Sequence, residues 1–160
     1  MKVLTLNGIT YEIDNNNTLV KMSNSGGKRD VFIPHEFYTG ERIDHIGRSF
    51  CRGVYSTISI SPDITDIQTG AFSYAFVDSV RWSPSCLIIP NRCFYFSTLI
   101  NLDNISNVVQ IGDSAFKNTI NLKNLDLSDS LVCSIGEDAF DCDDNEKNIV
   151  LPYYLCEKIA

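Results

Sequence analysis

A chain of 160 residues with 44% hydrophobic and 21% charged residues has the size and composition of one globular domain, which excludes wholesale disorder and collagen-like structure. No apolar run approaches the ~18 residues needed to cross a bilayer, and the segment from Met1 to Gly8 lacks the apolar core of a secretory signal, so a cytoplasmic chain without membrane insertion is expected. The net charge of −7 lies wholly in residues 101–160, where eleven acids face four lysines; this excludes nucleic acid and anionic membrane as partners and leaves an acidic surface for solubility or for a basic partner.

In chain order, the first element is an alternating stretch, Leu4-Thr5-Leu6-Asn7-Gly8-Ile9-Thr10-Tyr11-Glu12-Ile13. Apolar residues at every second position around Asn-Gly predict a β-hairpin. Asn15-Asn16-Asn17 makes a second turn into Leu19-Val20-Lys21-Met22, and Ser23 to Lys28 is a polar loop. Residues 1–30 are thus expected to form an N-terminal β cap. Val31 and Ile33 predict the first strand beyond that cap, closed by Pro34.

From there a repeat takes over. Phe50, Phe72, Phe94, Phe116 and Phe140 are spaced by 22, 22, 22 and 24 residues. Each ends a similar segment: Ile46-Gly47-Arg48-Ser49-Phe50, one residue shorter than the rest, then Ile67-Gln68-Thr69-Gly70-Ala71-Phe72, Ile89-Pro90-Asn91-Arg92-Cys93-Phe94, Ile111-Gly112-Asp113-Ser114-Ala115-Phe116 and Ile135-Gly136-Glu137-Asp138-Ala139-Phe140. Upstream stand Ile43, Ile64, Cys86, Val108 and Val132, and downstream the alternate pairs Ile58/Ile60, Val80/Trp82, Leu125/Leu127 and Ile149/Leu151. The third copy keeps Leu102 but places Asn104 where an apolar residue belongs, which predicts a bulge or register slip. Five columns in one phase define a solenoid of about 22 residues per coil. The apolar pairs predict short strands with one buried face, and the segments ending in Phe predict a turn followed by a brief helical stretch. A single coil buries five or six large side chains, about 2 kcal/mol each, against an ordering cost of ~1–2 kcal/mol for every residue. Only stacking closes that balance, so residues 31–152 are expected to be about five contiguous coils. Tyr153, Tyr154, Leu155 and Ile159 either fold over the end or mark a cut from a longer array.

These segments resemble the BspA-type leucine-rich repeats, carried by the Ile-Gly-x-x-Ala-Phe hexapeptides ending at Phe116 and Phe140, the related one ending at Phe72, and the strand pairs between them. Phe32-Ile33-Pro34 followed by Ile43-Asp44-His45-Ile46-Gly47 is similar to the family's usual entry into its repeats. The resemblance implies an α/β repeat solenoid: a right-handed leucine-rich repeat coil with a parallel ladder of short strands, short helical or irregular segments on the other face, and the N-terminal β-hairpin cap. It also implies a role in adhesion or protein binding, commonly at the cell surface, and brings no catalytic residues. The chain departs from the family in lacking the Cys that often follows the Phe by a few residues.

Chemistry-bearing motifs are absent: there is no P-loop, GxSxG, GxGxxG or HExxH pattern, and the six cysteines contain no CxxC pair. Free, mostly buried thiols are expected of Cys51, Cys86, Cys93, Cys133, Cys142 and Cys156. His35 and His45 read as structural or solvated, Asp141, Asp143, Asp144 and Glu146 as a solvated acidic loop rather than a calcium site, and Trp82 as core. No cofactor is expected. What remains is the outward face of the strands. Alternation places Thr57, Ser79, Asn101, Asn124 and Asn148 in one column and Ser59, Arg81, Asp103 and Asp126 in the next. The expectation is a monomeric, non-enzymatic module that binds a protein or peptide through Ser59, Arg81, Asp103, Asp126, Asn101 and Asn124, with a structural spacer or a surface adhesin as the alternatives. Arg81 beside Asp103 alternatively reads as a cross-strand ion pair worth under ~1 kcal/mol.

Overall fold

The computed structural model describes residues 1–143 and 146–155. The chain begins with three antiparallel strands, β1 (Lys2–Leu6), β2 (Ile9–Ile13) and β3 (Thr18–Asn24). The two-residue loop between the first two holds Asn7 at φ 52° and Gly8 at φ 77°, the doubly left-handed turn that matches the twist of paired strands. The N-terminal β region is therefore a three-stranded meander rather than a lone hairpin. Its last strand passes directly into the solenoid, since β3 pairs in parallel with β5 (His45–Ile46) and β6 (Cys51–Arg52).

About five coils come next. Each contributes one strand to a front ladder and one two-residue strand to a back ladder. The front strands are β4 (Arg29–Ile33), β7 (Val54–Ile60), β9 (Phe76–Arg81) and β11 (Asn101–Asp103), all parallel, and then β13 (Asn124–Asp126) paired with β15 (Asn148–Val150). The back strands are β5, β8 (Asp66–Ile67), β10 (Ile88–Ile89), β12 (Gln110–Ile111) and β14 (Ser134–Ile135). Both ladders are interrupted once. The front one stops between β11 and β13, and the back one between β8 and β10.

The core lies between the ladders. Ile58, Val80, Leu102 and Leu125 are buried beneath the front strands, and Ile43, Ile64, Cys86, Val108 and Val132 form a second buried row. The repeated phenylalanines stack along the axis: Phe72–Phe94, Phe94–Phe116 and Phe116–Phe140 have centroids 5.1, 5.3 and 5.3 Å apart and ring planes within 18°. Such pairs add ~0.5–1.5 kcal/mol each beyond area burial. Trp82 is fully buried, as its phase with Ile60 predicts, and its indole Nε1 donates to the Cys86 carbonyl at 2.9 Å.

The expected helical stretches are not helices. Among the described residues the only helical turn is at 153–155, and the corners form a different bonding pattern. The N–H groups of Gly70, Phe72 and Tyr74 donate to Asn91, Cys93 and Tyr95 of the next coil, whereas those of Ala71, Ser73 and Ala75 donate three residues back within their own coil. The same alternation runs through residues 92–97 and 114–119. A helix would consume every N–H internally. Here every second one is turned outward, and left-handed backbone at Gly70, Arg92 and Ser114, then at Tyr74, Phe96 and Asn118, makes that possible.

Candidate functional site

The strand-face residues are set by register. Ser59 lies opposite Arg81 and Arg81 opposite Asp103, while Thr57, Ser79 and Asn101 form the adjacent row. Arg81, Asp103 and Asn101 are exposed and Ser59 half-buried. Asn101 donates to the Ser79 hydroxyl at 3.4 Å. Among the described residues Arg81 forms no ion pair, with Asp103 or any other acid. The guanidinium and the carboxylate stand side by side, both open to solvent.

The expected four-residue column is not continuous. Asn124 and Asp126 sit on β13, beyond the interruption, and Asn124 is tied to Asn148 across the last strand pair at 3.4 Å. The cause is Asn104, which takes φ 62°. Trp82 N–H bonds the Asp103 carbonyl, and Leu127 N–H the Val150 carbonyl, but Asn104 N–H makes no such bond to Asp126. The left-handed residue turns the chain out of the ladder, and Ile105 takes the buried place one residue later.

At that interruption a cavity of about 380 Å³ opens, lined by Asp103, Asn104, Ser106, Asp126, Ser128 and Asp129 among others. The strand-face acids Asp103 and Asp126 thus meet again as the two walls of one acidic recess, with Asp129 as a third carboxylate. Asp126 accepts from the Ser128 N–H at 2.9 Å, and the hydrogen bonds of the Ser128 side chain and N–H hold its carboxyl below the usual carboxylate range. It is anionic at neutral pH. Reading residues in alternation overlooked Asp129, although the Asp126-Leu127-Ser128-Asp129 run signals an acidic turn just after a strand. Among the described residues no three His, Cys, Asp or Glu side chains are grouped to hold a metal ion. The recess presents carboxylates and hydroxyl groups to solvent.

The remaining candidates are elsewhere. His35 contacts Asp44 at 3.0 Å and Arg42 at 3.1 Å, and His45 contacts Asp66 at 3.0 Å, all near the N-terminal junction. Lys117 bridges Asp138 and Asp141 at 3.1 and 2.9 Å, which raises its own pKa and occupies two carboxylates of the acidic C-terminal coil. Asp144, named in the acidic-loop reading, and Cys156 and Ile159 lie outside the described residues. The five described cysteines are free thiols. Burial pushes Cys51 up to about 12 and Cys86 up to about 11, and Cys93 well above its ordinary value.

Among solved structures, a leucine-rich repeat protein from Bacteroides capillosus is similar over 93% of this chain and 97% of its own, at 14% identity and a TM-score of 0.50. The pneumococcal vaccine antigen PcpA is similar over 96% of this chain, at 16% identity and a TM-score of 0.52. This chain spans 51% of PcpA's length. No curated protein matches the sequence, and no helix among the described residues is long and apolar enough to cross a membrane. The model of the BspA type leucine rich repeat region matches residues 36–146 in six copies, one more than the five phenylalanine anchors, and that match covers most of the solenoid with its stacked rings and parallel ladders. The chain belongs to the BspA-type leucine-rich repeat family.

Proposed function

We propose that this chain is a non-enzymatic protein-binding module whose partner lies across the front strands, with Ser59, Arg81 and Asn101 on one side of the interruption and Asn124 and Asp126 on the other. The observation that carries the reading is the in-register row Ser59, Arg81, Asp103 running into the acidic recess shared by Asp103 and Asp126. An unpaired guanidinium one strand spacing, ~4.8 Å, from an acidic cavity suits a bipolar ligand. A carboxylate would meet Arg81 and an ammonium or guanidinium the recess. Such charge arrangements set register and partner choice more than raw affinity.

The test is fluorescence anisotropy with a peptide carrying a glutamate followed by lysines. Asp103→Asn combined with Asp126→Asn should weaken it about fivefold to tenfold, while an unchanged affinity removes the front face from consideration. The meander of residues 1–24 and the turn at 153–155, whose Tyr154 hydroxyl donates to the Ser130 and Val132 carbonyls at 3.2 and 2.7 Å, pack onto the coils as parts of a single domain that acts as a monomer. The burial of Cys51, Cys86 and Cys93 without a cysteine partner among the described residues suits a reducing, cytoplasmic setting, while Cys133 is exposed. Likeness to a vaccine antigen supports surface display instead. Thiol alkylation at lysis of the source cells separates the two, since six free cysteines favour the former and disulfides the latter.

A further inference from the structure

The back ladder is broken for a chemical reason. At one position in each coil an N–H closes the ladder by donating to the carbonyl of the preceding strand: Gly47 to Leu19, Gln68 to Ile46, Gly112 to Ile89 and Gly136 to Ile111, at 2.8–2.9 Å. In the third coil that position is Pro90, which has no N–H. Among the described residues the Ile67 carbonyl is left without a backbone donor, and β8 and β10 do not pair. The gap is local. Ahead of it the Ser83 and Ser85 hydroxyls tie the coils at the Ile64 and Pro62 carbonyls, and after it Gly70 N–H bonds the Asn91 carbonyl.

The opened seam forms a cavity of about 730 Å³, lined by Arg48, Asp66, Ile67, Gln68, Leu87, Ile88 and Pro90 among others. Leu87 and Ile88 are each 49% exposed. Arg48 and Thr69 also line a second cavity of about 320 Å³ round the corner, with Arg92, Tyr74 and Tyr95, so the two adjoin at Arg48 and Thr69 and are taken together as one groove. Arg48 packs across Gly70, where an added Cβ would lie 3.8 Å from its Cγ and Nε. Arg92 stands 5.7 Å from the Tyr95 ring centre. Among the described residues neither guanidinium has a carboxylate partner, and the one acid in the groove, Asp66, is engaged with His45.

We propose that this seam is a second binding site, for an extended peptide segment in which an apolar residue is followed by acidic ones. Each part of the groove lacks what such a segment carries. The Ile67 carbonyl lacks an N–H donor, Leu87 and Ile88 lack an apolar cover, and Arg48 and Arg92 lack an oxyanion. An added strand edge supplies affinity through main-chain bonds and specificity through alternate side chains, and paired guanidinium–carboxylate contacts fix its direction. The site does not depend on the front-face reading.

The probe is a capped hexapeptide of alternating valine and glutamate, titrated into the full chain and followed by amide NMR shifts. Shifts confined to residues 48–49, 65–74 and 85–95 are expected, and a spectrum unmoved there overturns the site. Pro90→Gln, which restores the missing N–H as in the coil carrying Gln68, should close the seam and weaken the peptide about tenfold. Equal binding by this variant overturns the site. Should that variant fold poorly, Pro90→Ala restores the same donor, and Leu87→Glu obstructs the groove without touching the ladder. Arg48→Gln with Arg92→Gln should also weaken the acidic peptide about tenfold while leaving its glutamine analogue unaffected, and equal losses for both peptides overturn the acidic specificity. Arg81→Glu should leave this binding intact, so failure here and failure of the front face remain separate results.

Discussion

The back seam between β8 and β10 and the front seam between β11 and β13 are interruptions of one solenoid made by opposite means. In the back, Pro90 removes a donor while the backbone keeps its course. In the front, Asn104 keeps its donor but turns it away, at φ 62°. Each seam is closed on its other face, since β7 pairs with β9 and β12 with β14. The two also differ in charge: the back groove holds two guanidiniums without carboxylate partners, and the front recess three carboxylates. A repeat array tolerates such breaks because each coil contacts only its neighbours, so a lost bond in one ladder is compensated within the same interface. Recognition surface can then arise wherever one ladder is released.

The largest expected effect tests that compensation. The third and fourth coils join through intact ladders on both faces and through the Phe94–Phe116 stack. Phe94 is fully buried and also meets Phe72 and Trp82. Phe94→Ala should cost about 3–5 kcal/mol in urea denaturation, with both seams opening together. A loss under ~1.5 kcal/mol would mean that the rings are packed too loosely to couple the coils.

Alkaline pH separates the halves. The buried thiols Cys51, Cys86 and Cys93 all lie on the side of the molecule that holds the back seam. Their folded pKa values are raised, so the stability they contribute is present below the ordinary thiol pKa of about 8.5. It is lost as pH rises toward about 11 for Cys86 and about 12 for Cys51. Each thiol should add ~1.4 kcal/mol per pH unit to the decline over its window. Cys86→Ala should flatten the slope by one such increment. Hydrogen exchange should show residues around β8 and β10 opening before those around β13 and β15, and the reverse order would place the weaker half in the C-terminal coils.

The conformational origin of the front seam gives a smaller effect. Valine tolerates left-handed backbone badly, so Asn104→Val should cost about 1–2 kcal/mol. Asn104→Gly should stay within a few tenths. Equal stability of the two variants in thermal melts would show that Asn104 is free to return to the ladder.

Much of this was legible in the sequence. Phenylalanines at a nearly constant interval must occupy equivalent places, and those from Phe72 to Phe140 stack. Alternation put Ser59, Arg81 and Asp103 in register, and Asn104 in an apolar column announced a slip. The corners were not legible, because Gly, Ala and Phe suit a helical turn as well as a left-handed one, and only the neighbouring coil decides which N–H groups turn outward. Pro90 stands openly in its hexapeptide. Its consequence depends on the direction of a hydrogen bond between coils, and that belongs to the pairing rather than to the local sequence.

The smallest stability effect carries the sharpest functional contrast. Arg81 is exposed, forms no ion pair among the described residues and faces Ser59 and Asp103 across its two neighbours. Arg81→Glu sets like charges opposite each other on the ladder at a solvent-exposed site, which should cost no more than ~0.5 kcal/mol, so the rod stays folded. Its effect on binding should have a different sign for different probes. The glutamate–lysine peptide loses its contact to the guanidinium and should bind about fivefold more weakly, whereas an all-lysine peptide sees only an enlarged acidic surface and should bind more tightly. If both peptides respond in the same direction, the front face acts as a diffuse field, and the side-by-side arrangement of Arg81 and the acidic recess has no part in recognition.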